Sequence, residues 1–133
     1  MDELTPRVDS ISGIIPLLQV GDLIESLQFY RDVLGFRADF YWPNAENPKW
    51  VKISRPDVQF MLTIDLGTSS GRFIAEKGNG VVFYATTEDV QQLYLELDDR
   101  GALIVQEIRD FGGRKQFSIA DPNGYVIAFS EPF

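Results

Sequence analysis

The side chains that could carry out chemistry in this sequence are limited in type, because its 133 residues include neither histidine nor cysteine. Without an imidazole or a thiol, no serine–histidine or cysteine–histidine nucleophile can form, and disulfides and zinc–thiolate sites are excluded. Acid–base catalysis would then depend on a carboxylate, and Asp57, Glu107 and Asp110 are the candidates. A metal-independent lyase or isomerase reaction therefore stays open as an alternative to binding.

Aromatic residues are concentrated on both sides of one predicted loop. Phe40-Tyr41-Trp42 precedes this loop and Trp50 follows it, while Phe73 and Phe111 are in other predicted loops. Rings in such positions can stack on a planar or cationic ligand. They can equally fill the core or a dimer interface, where aromatic residues are enriched. We expect at least one of these rings to contact a ligand.

A cationic pair, Arg114-Lys115, follows two glycines in the second half of the sequence. Both side chains carry positive charge and donate hydrogen bonds, so the pair can hold an anionic group of a ligand. Such a pair is also common on a solvated hairpin. The sequence leaves both interpretations open.

The overall charge limits the class of partner. The chain has 12 lysine and arginine residues and 20 aspartate and glutamate residues, which leaves a net charge of −8. This charge opposes binding to nucleic acid or to an anionic membrane and favours a neutral or cationic small molecule. No apolar stretch approaches the roughly 18 residues that a membrane span requires, and Met1–Ser12 does not have the pattern of a signal peptide. We therefore expect a cytoplasmic protein.

The first half of the sequence predicts the element order βαβββ over residues 13–65. Apolar residues from Leu23 to Leu34 recur at steps of three and four, which is typical of an amphipathic helix. Asp22 is suited to its N-cap and Gly35 to its end. Apolar and aromatic runs, separated by turn-forming residues, predict the strands Ile14–Val20, Phe36–Trp42, Trp50–Ser54 and Val58–Ile64.

The second half repeats this order over residues 80–131, after a connecting segment at residues 66–79. Thr86 or Thr87 is expected to cap a second helix, which Gly101 ends. Asp22 lies 67 positions before Asp89, which supports an internal duplication within a single domain of residues 1–133. The expected strands are Val81–Ala85, Leu103–Gln106, Gln116–Ala120 and Tyr125–Ser130.

Two groups of motifs near the ends of the sequence resemble the signatures of one family. The first is Leu18-Gln19-Val20-Gly21-Asp22 with Leu34-Gly35-Phe36, and the second is Phe111-Gly112-Gly113-Arg114 with Asp121-Pro122-Asn123-Gly124-Tyr125. With the two βαβββ units, they are similar to the glyoxalase/bleomycin-resistance/extradiol-dioxygenase superfamily, the vicinal oxygen chelate fold. The resemblance implies an α+β fold of two tandem βαβββ modules, whose mixed, curved sheets form a cleft, and a homodimer.

Relatives that use a metal hold it with four cleft-facing side chains, commonly histidine or glutamate. By the resemblance, these positions correspond to Ile15, Met61, Val82 and Ala128. Alkyl groups donate no lone pair, and a thioether is a weak ligand for the metals that this family uses. The resemblance therefore implies a metal-free chain without a cofactor, similar to bleomycin-resistance proteins.

Alternation along each strand predicts which residues line the cleft. Residues with the parity of those four positions mix aliphatic, amide and hydroxyl groups, whereas the opposite parity is strongly apolar and should pack beneath the helices.

The sequence thus predicts a small-molecule binding or drug-sequestering protein, as in antibiotic resistance. Its cationic or aromatic ligand would lie between the modules or at a dimer interface. Alternatives are a metal-independent enzyme and an interaction module with a closed cleft. The expected ligand contacts are Tyr41, Trp42, Trp50, Gln59, Met61, Tyr84, Phe111 and Arg114.

Overall fold

The computed structural model describes residues 10–64 and 80–133; the predicted connecting segment at residues 66–79, which includes Phe73, lies outside them. Two successive βαβββ units make up the described chain, so the predicted α+β fold is confirmed. Neither helix in this part of the chain is long and apolar enough to cross a membrane. The elements are β1 Leu17–Gln19, α1 Leu23–Asp32, β2 Arg37–Trp42, β3 Trp50–Arg55, β4 Val58–Thr63, β5 Val82–Thr86, α2 Val90–Asp99, β6 Leu103–Phe111, β7 Arg114–Ala120 and β8 Val126–Ser130.

Each unit forms its own four-stranded mixed sheet. Module 1, residues 10–64, contains sheet 1 with the strand order β1-β4-β3-β2. Module 2, residues 80–133, contains sheet 2 with the order β5-β8-β7-β6. In both sheets the first strand is parallel to the last, and the other neighbours are antiparallel. Consequently, β1 and β5 occupy equivalent edges of the two sheets.

Both helices begin after an aspartate N-cap. The carboxylates of Asp22 and Asp89 each accept a hydrogen bond, at 3.0 Å, from the amide three residues further on. This bond satisfies one of the amides that the first turn of a helix leaves free. The prediction of Thr86 or Thr87 as the cap of α2 is therefore wrong. Thr86 is still part of β5, and Thr87 lies too far before the helix to reach the same amide.

The β6–β7 hairpin is longer than the sequence predicted. β6 continues to Phe111 and β7 begins at Arg114, with only Gly112 and Gly113 between them. These glycines have φ values of 63° and 88°. Positive φ at both positions is what the common two-residue hairpin turn requires, and glycine adopts it without strain. Phe111 and Arg114 are therefore paired strand residues, and the prediction that Phe111 lies in a loop is wrong.

The two modules share one hydrophobic core. The rings of Phe60 in β4 and Phe83 in β5 lie 5.2 Å apart and join the two sides of this core. The fully buried Tyr30 donates from Oη to Asp121 Oδ2 at 2.8 Å, although the two residues are 91 positions apart. Burial raises the pKa of the Asp121 carboxyl above its usual value and also raises the pKa of Tyr30.

The turn between β7 and β8 fastens module 2 to the start of α1. Asn123 Oδ1 accepts a hydrogen bond from the amide of Gly21 at 2.8 Å, and Asn123 Nδ2 donates to Ser26 Oγ at 2.9 Å. The hydroxyl of Tyr125 donates to the carbonyl of Gln19 at 2.9 Å. The two motifs that resemble family signatures are therefore bound to each other and hold the modules together.

Candidate functional site

Each sheet has one face against the core and its helix, and an opposite face that we call the open face. Alternate strand residues belong to the core, so the predicted parity is confirmed. The core-side residues are Leu18, Val20, Phe60, Leu62, Phe83, Ile127 and Phe129. Residues of the other parity lie on the open faces, where most of the predicted ligand contacts are found.

The open face of sheet 1 carries an aromatic patch. Trp42 in β2 is paired directly with Trp50 in β3, and Phe40 lies on the same face opposite Lys52. Directly paired side chains in an antiparallel sheet have Cβ atoms only about 4.5–5.5 Å apart. Trp42 and Phe40 are each 61% exposed. These rings form a surface on which a planar molecule could stack.

Across sheet 1, the tryptophan pair continues into polar residues. Trp50 is paired with Thr63 of β4, which in turn is paired with Gln19 of β1. Gln19 is only 7% exposed, and its Oε1 atom has no hydrogen-bond partner among the described residues. The row therefore runs from exposed rings at one edge of the sheet to a buried amide at the other.

Two ion pairs meet at Asp39 on this face: Lys52 Nζ lies 2.9 Å from Asp39 Oδ2, and Arg37 Nε lies 3.2 Å from Asp39 Oδ1. Asp39 lies at the irregular position where the β2–β3 register shifts. The hydrogen bond from Lys52 holds the pKa of Asp39 below its usual value. The Asp39 carboxylate is thus shared between two cations and is not a free base for chemistry beside the aromatic patch.

The open face of sheet 2 carries a network of amides and hydroxyls. Gln116 Nε2 donates to Tyr84 Oη at 3.2 Å and to Gln106 Oε1 at 3.1 Å. The hydroxyl of Ser118 donates to the same Gln106 oxygen at 3.3 Å. Gln116 and Ser118 are buried, whereas Tyr84 is 56% exposed. Tyr84 is thus the exposed end of a network anchored in the sheet.

Arg114 lies beside this network at the start of β7. Its guanidinium carbon is 4.2 Å from the centre of the Phe133 ring, which is itself 6.5 Å from the Tyr84 ring. The Nε atom of Arg114 is shielded from solvent and has no hydrogen-bond partner within residues 10–64 and 80–133. Arg114, Tyr84 and Phe133 therefore form one cluster on the open face.

Seven of the eight predicted contact residues lie on an open face, and Tyr41 does not. Tyr41 is paired with the core residue Val51, so it lies on the opposite side of β2 from Trp42. The sequence analysis missed Lys52, Gln106 and the buried Gln116 and Ser118. Gln116 and Ser118 alternate with apolar residues along β7, and this pattern could have indicated them. The seven are Trp42, Trp50, Gln59 and Met61 in sheet 1 and Tyr84, Phe111 and Arg114 in sheet 2.

The four positions that hold a metal in relatives do not fit a divalent ion here. Met61, Val82 and Ala128 lie on the open faces, and Ile15 lies two residues before β1. None of the four supplies nitrogen or oxygen from a side chain, and the thioether of Met61 is a poor ligand for hard cations. Over the described ranges, no group of three or more acidic side chains is placed to hold a metal.

The carboxylates considered for catalysis are not on the open faces. Asp57 lies in the β3–β4 turn with a φ of 65°. Glu107 accepts a hydrogen bond from Tyr94 of α2, and Asp110 accepts one at 2.8 Å from the amide of Gly113 in the hairpin turn. The three side chains are thus dispersed, and two of them have structural partners.

A cavity of about 1020 Å³ lies between the modules, on the core side of the sheets. Its walls include the segment that follows α1, one side of α2 and the core faces of β4 and β5, and Gln59 and Tyr84 also border it. The exposed rings of Trp42 and Phe40 and the donors of Arg114 lie elsewhere. We therefore place the candidate site on the open faces, which carry the exposed rings of sheet 1 and the hydrogen-bonding groups of sheet 2.

Residues 7–129 match the profile of the Glyoxalase/Bleomycin resistance protein/Dioxygenase superfamily. The fold is similar to that of a superfamily member from Sphaerobacter thermophilus DSM 20745, at 23% identity and a TM-score of 0.72, over 92% of this chain and 98% of the other. TnmS3, an antibiotic binding protein from Streptomyces sp. CB03234, has 20% identity and a TM-score of 0.71, over 93% and 98%. Lactoylglutathione lyase from Agrobacterium tumefaciens has 19% identity and a TM-score of 0.68, over 92% and 96%. No curated protein matches the sequence significantly.

Proposed function

Because the chain belongs to the glyoxalase/bleomycin resistance protein/dioxygenase superfamily, we propose that it binds a small planar organic molecule on its open faces without a metal ion. The observation that carries this proposal is the pair formed by Trp42 and Trp50, with Phe40 beside it. Large exposed apolar groups gathered on one face cost free energy in water, and such patches are usually binding surfaces. A stacked planar ligand would cover them.

The similarity to TnmS3 supports the class of activity. That protein binds an antibiotic and shares the fold, although only 20% of aligned residues are identical. A sequestering protein needs a surface that holds its ligand and no reactive group that transforms it. The open faces described above offer rings, amides and hydroxyls, and the Asp39 carboxylate is held in ion pairs with Lys52 and Arg37. Sequestration of an aromatic drug is the specific activity that we propose.

The metal-free part of this proposal rests on the donor chemistry of Ile15, Met61, Val82 and Ala128. Elemental analysis of protein prepared without a histidine tag is expected to find less than stoichiometric transition metal. A tag has to be avoided because it would supply the imidazole that the chain lacks. One metal ion per chain, removed by a chelator together with ligand binding, would contradict the proposal.

We further propose a homodimer in which a second copy packs against the exposed edge strands and borders the ligand on the open faces. β1 and β5 are edge strands, and their open-face residues Leu17, Val82 and Tyr84 are between 44% and 56% exposed. A two-fold interface lets one such surface serve both chains. Sedimentation equilibrium is expected to give twice the 15.1 kDa of one chain. A monomer at tens of micromolar would rule out a site shared between chains.

Binding itself is tested by calorimetric titration with a panel of planar cations, planar anions and bleomycin-type glycopeptides. We expect saturable binding of at least one planar member, accompanied by quenching of tryptophan fluorescence, with the molecule recovered unchanged. The alternative, a metal-independent lyase or isomerase, predicts turnover of the bound molecule instead. Absence of binding to every planar member would contradict the proposed function.

A further inference from the structure

The hydrogen bonds on the open face of sheet 2 have a fixed direction. An amide nitrogen of glutamine has two hydrogens, and those of Gln116 point to Gln106 Oε1 and to Tyr84 Oη. Gln106 Oε1 is held in the accepting role by a second donor, the hydroxyl of Ser118. Because the oxygen of Tyr84 already accepts from Gln116, its own proton is left to be donated outward. The buried network therefore makes Tyr84 a hydrogen-bond donor.

The second group at this place can only donate. Arg114 has no accepting atom, and one face of its guanidinium is stacked against Phe133 at 4.2 Å. Stacking on an aromatic ring occupies the face of the guanidinium and leaves the N–H groups directed outward in its plane. The Nε–H group, which is shielded from solvent, has no acceptor among the described residues. Tyr84 and Arg114 thus each present a donor beside the Phe133 ring.

We propose that Tyr84 and Arg114 form a subsite for a carboxylate or similar acceptor group attached to the planar ligand. This inference rests on the proposed function and extends it by naming the class of ligand: a planar aromatic acid instead of a planar cation. An aromatic cation would bring a further donor to a surface of donors. A carboxylate accepts from both groups at once, and charge-assisted bonds to arginine are the stronger kind.

The test uses three probes that share one ring system, namely 2-naphthoate, 2-naphthamide and 2-naphthylmethylammonium. Calorimetry of the full chain is expected to rank the affinities in that order, with the anion bound most tightly despite the net charge of −8. Tryptophan quenching by all three probes would report stacking separately from recognition of the acceptor. Equal or tighter binding of the ammonium probe would overturn the subsite and leave the proposed function intact.

Two variants address the donors individually. Tyr84→Phe keeps the ring and removes one hydrogen bond, so 2-naphthoate should bind about three- to tenfold more weakly. Arg114→Gln removes the charged donor, and the loss should be about ten- to a hundredfold. Tyr41→Phe and Arg31→Gln are the matched controls, because both residues belong to module 1 and lie away from the open faces. Both controls should bind like the wild type.

A third variant tests the direction of the network. Gln116→Glu keeps the shape of the side chain but replaces its donor with an acceptor, so the proton of Tyr84 would turn inward. Binding of 2-naphthoate should then fall at least as far as in Tyr84→Phe, and adding Tyr84→Phe to Gln116→Glu should cause little further loss. Additive losses in the double variant, or wild-type affinity in Tyr84→Phe and Arg114→Gln, would overturn the proposal. Failure of all three probes to bind the wild type would contradict the proposed function as well.

Discussion

The two modules have the same order of elements and the same strand order, yet their open faces have opposite character. Sheet 1 presents the exposed rings of Trp42 and Phe40, whereas the equivalent surface of sheet 2 holds the buried amide of Gln116 and the hydroxyl of Ser118. The buried strand residues on the core sides of both sheets are apolar. Packing constrains the core side, while the open side is free to specialise, one half for stacking and the other for hydrogen bonding.

The helices differ between the modules at equivalent positions as well. Tyr30 of α1 and Leu97 of α2 are 67 positions apart, and both are almost completely buried. Only Tyr30 has a hydroxyl, and that hydroxyl reaches into module 2 to Asp121. The side chain at this helix position packs in the core in both modules. In module 1, Tyr30 also forms a hydrogen bond to module 2.

Truncating the buried side chain at this helix position should have the largest effect on the free energy of unfolding. Leu97→Ala deletes a side chain that is 1% exposed and leaves a cavity beneath sheet 2. We expect the free energy of unfolding to fall by about 2–5 kcal/mol. Denaturant titration measures it, with the half-exposed Leu95→Ala as the control that should change little. Similar losses for both substitutions would show that α2 does not use Leu97 as its anchor.

Removing only the hydroxyl of Tyr30 should have an intermediate effect that depends on pH. Tyr30→Phe takes a donor from the buried Asp121 carboxylate, and such bonds to charged groups contribute about 1.5–3 kcal/mol. Burial raises the folded-state pKa of Asp121 and the Tyr30 bond opposes this shift, so the variant's Asp121 should have a still higher pKa. A raised folded-state pKa gives stability that is present at low pH and lost as pH rises through that pKa.

The difference in unfolding free energy between wild type and Tyr30→Phe should therefore be small below the unfolded-state pKa of aspartate. It should grow as pH rises through the raised pKa of Asp121. Denaturant titrations over this range measure it. The difference in unfolding free energy between Asp121→Asn and Tyr30→Phe/Asp121→Asn should not grow with pH, because neither protein has the titrating carboxyl. A difference that is constant with pH would show that the hydroxyl does not act through the carboxylate.

The contrast between the open faces predicts the smallest effects, which concern binding and not folding. Trp42→Ala or Trp50→Ala should weaken binding of a planar probe by about two- to tenfold, on the scale of about 0.5–1.5 kcal/mol for loss of one aromatic contact. Tyr41→Ala is the control from the other side of β2. Fluorescence or calorimetric titration measures each affinity. Unchanged affinity in both tryptophan variants, with folding intact, would move the stacking surface away from sheet 1.

Much of the architecture was accessible from local patterns. The aspartate cap of α1, the order of the elements and the core side of each strand follow from capping chemistry and from periods of 3.6 and two residues. The cap of α2 was assigned wrongly because two threonines before the helix offered a competing signal. β6 was predicted too short because its alternation of polar and apolar residues extends into a segment rich in charge. The site was predicted less completely, since Gln106, Gln116 and Lys52 resemble ordinary surface residues when viewed singly.

The sequence by itself determined that no imidazole or thiol chemistry is available and that a βαβββ order occurs twice. It also determined which side of each strand is apolar. These properties depend only on composition and on residues close together in the sequence. Only the tertiary structure decided that Trp42 is paired with Trp50 while Tyr41 lies on the other side of β2, and that Gln116 donates a hydrogen bond to Tyr84. It also decided that Tyr30 meets Asp121. Register between strands and contacts across 91 positions arise from packing of the whole core, and no local pattern encodes them.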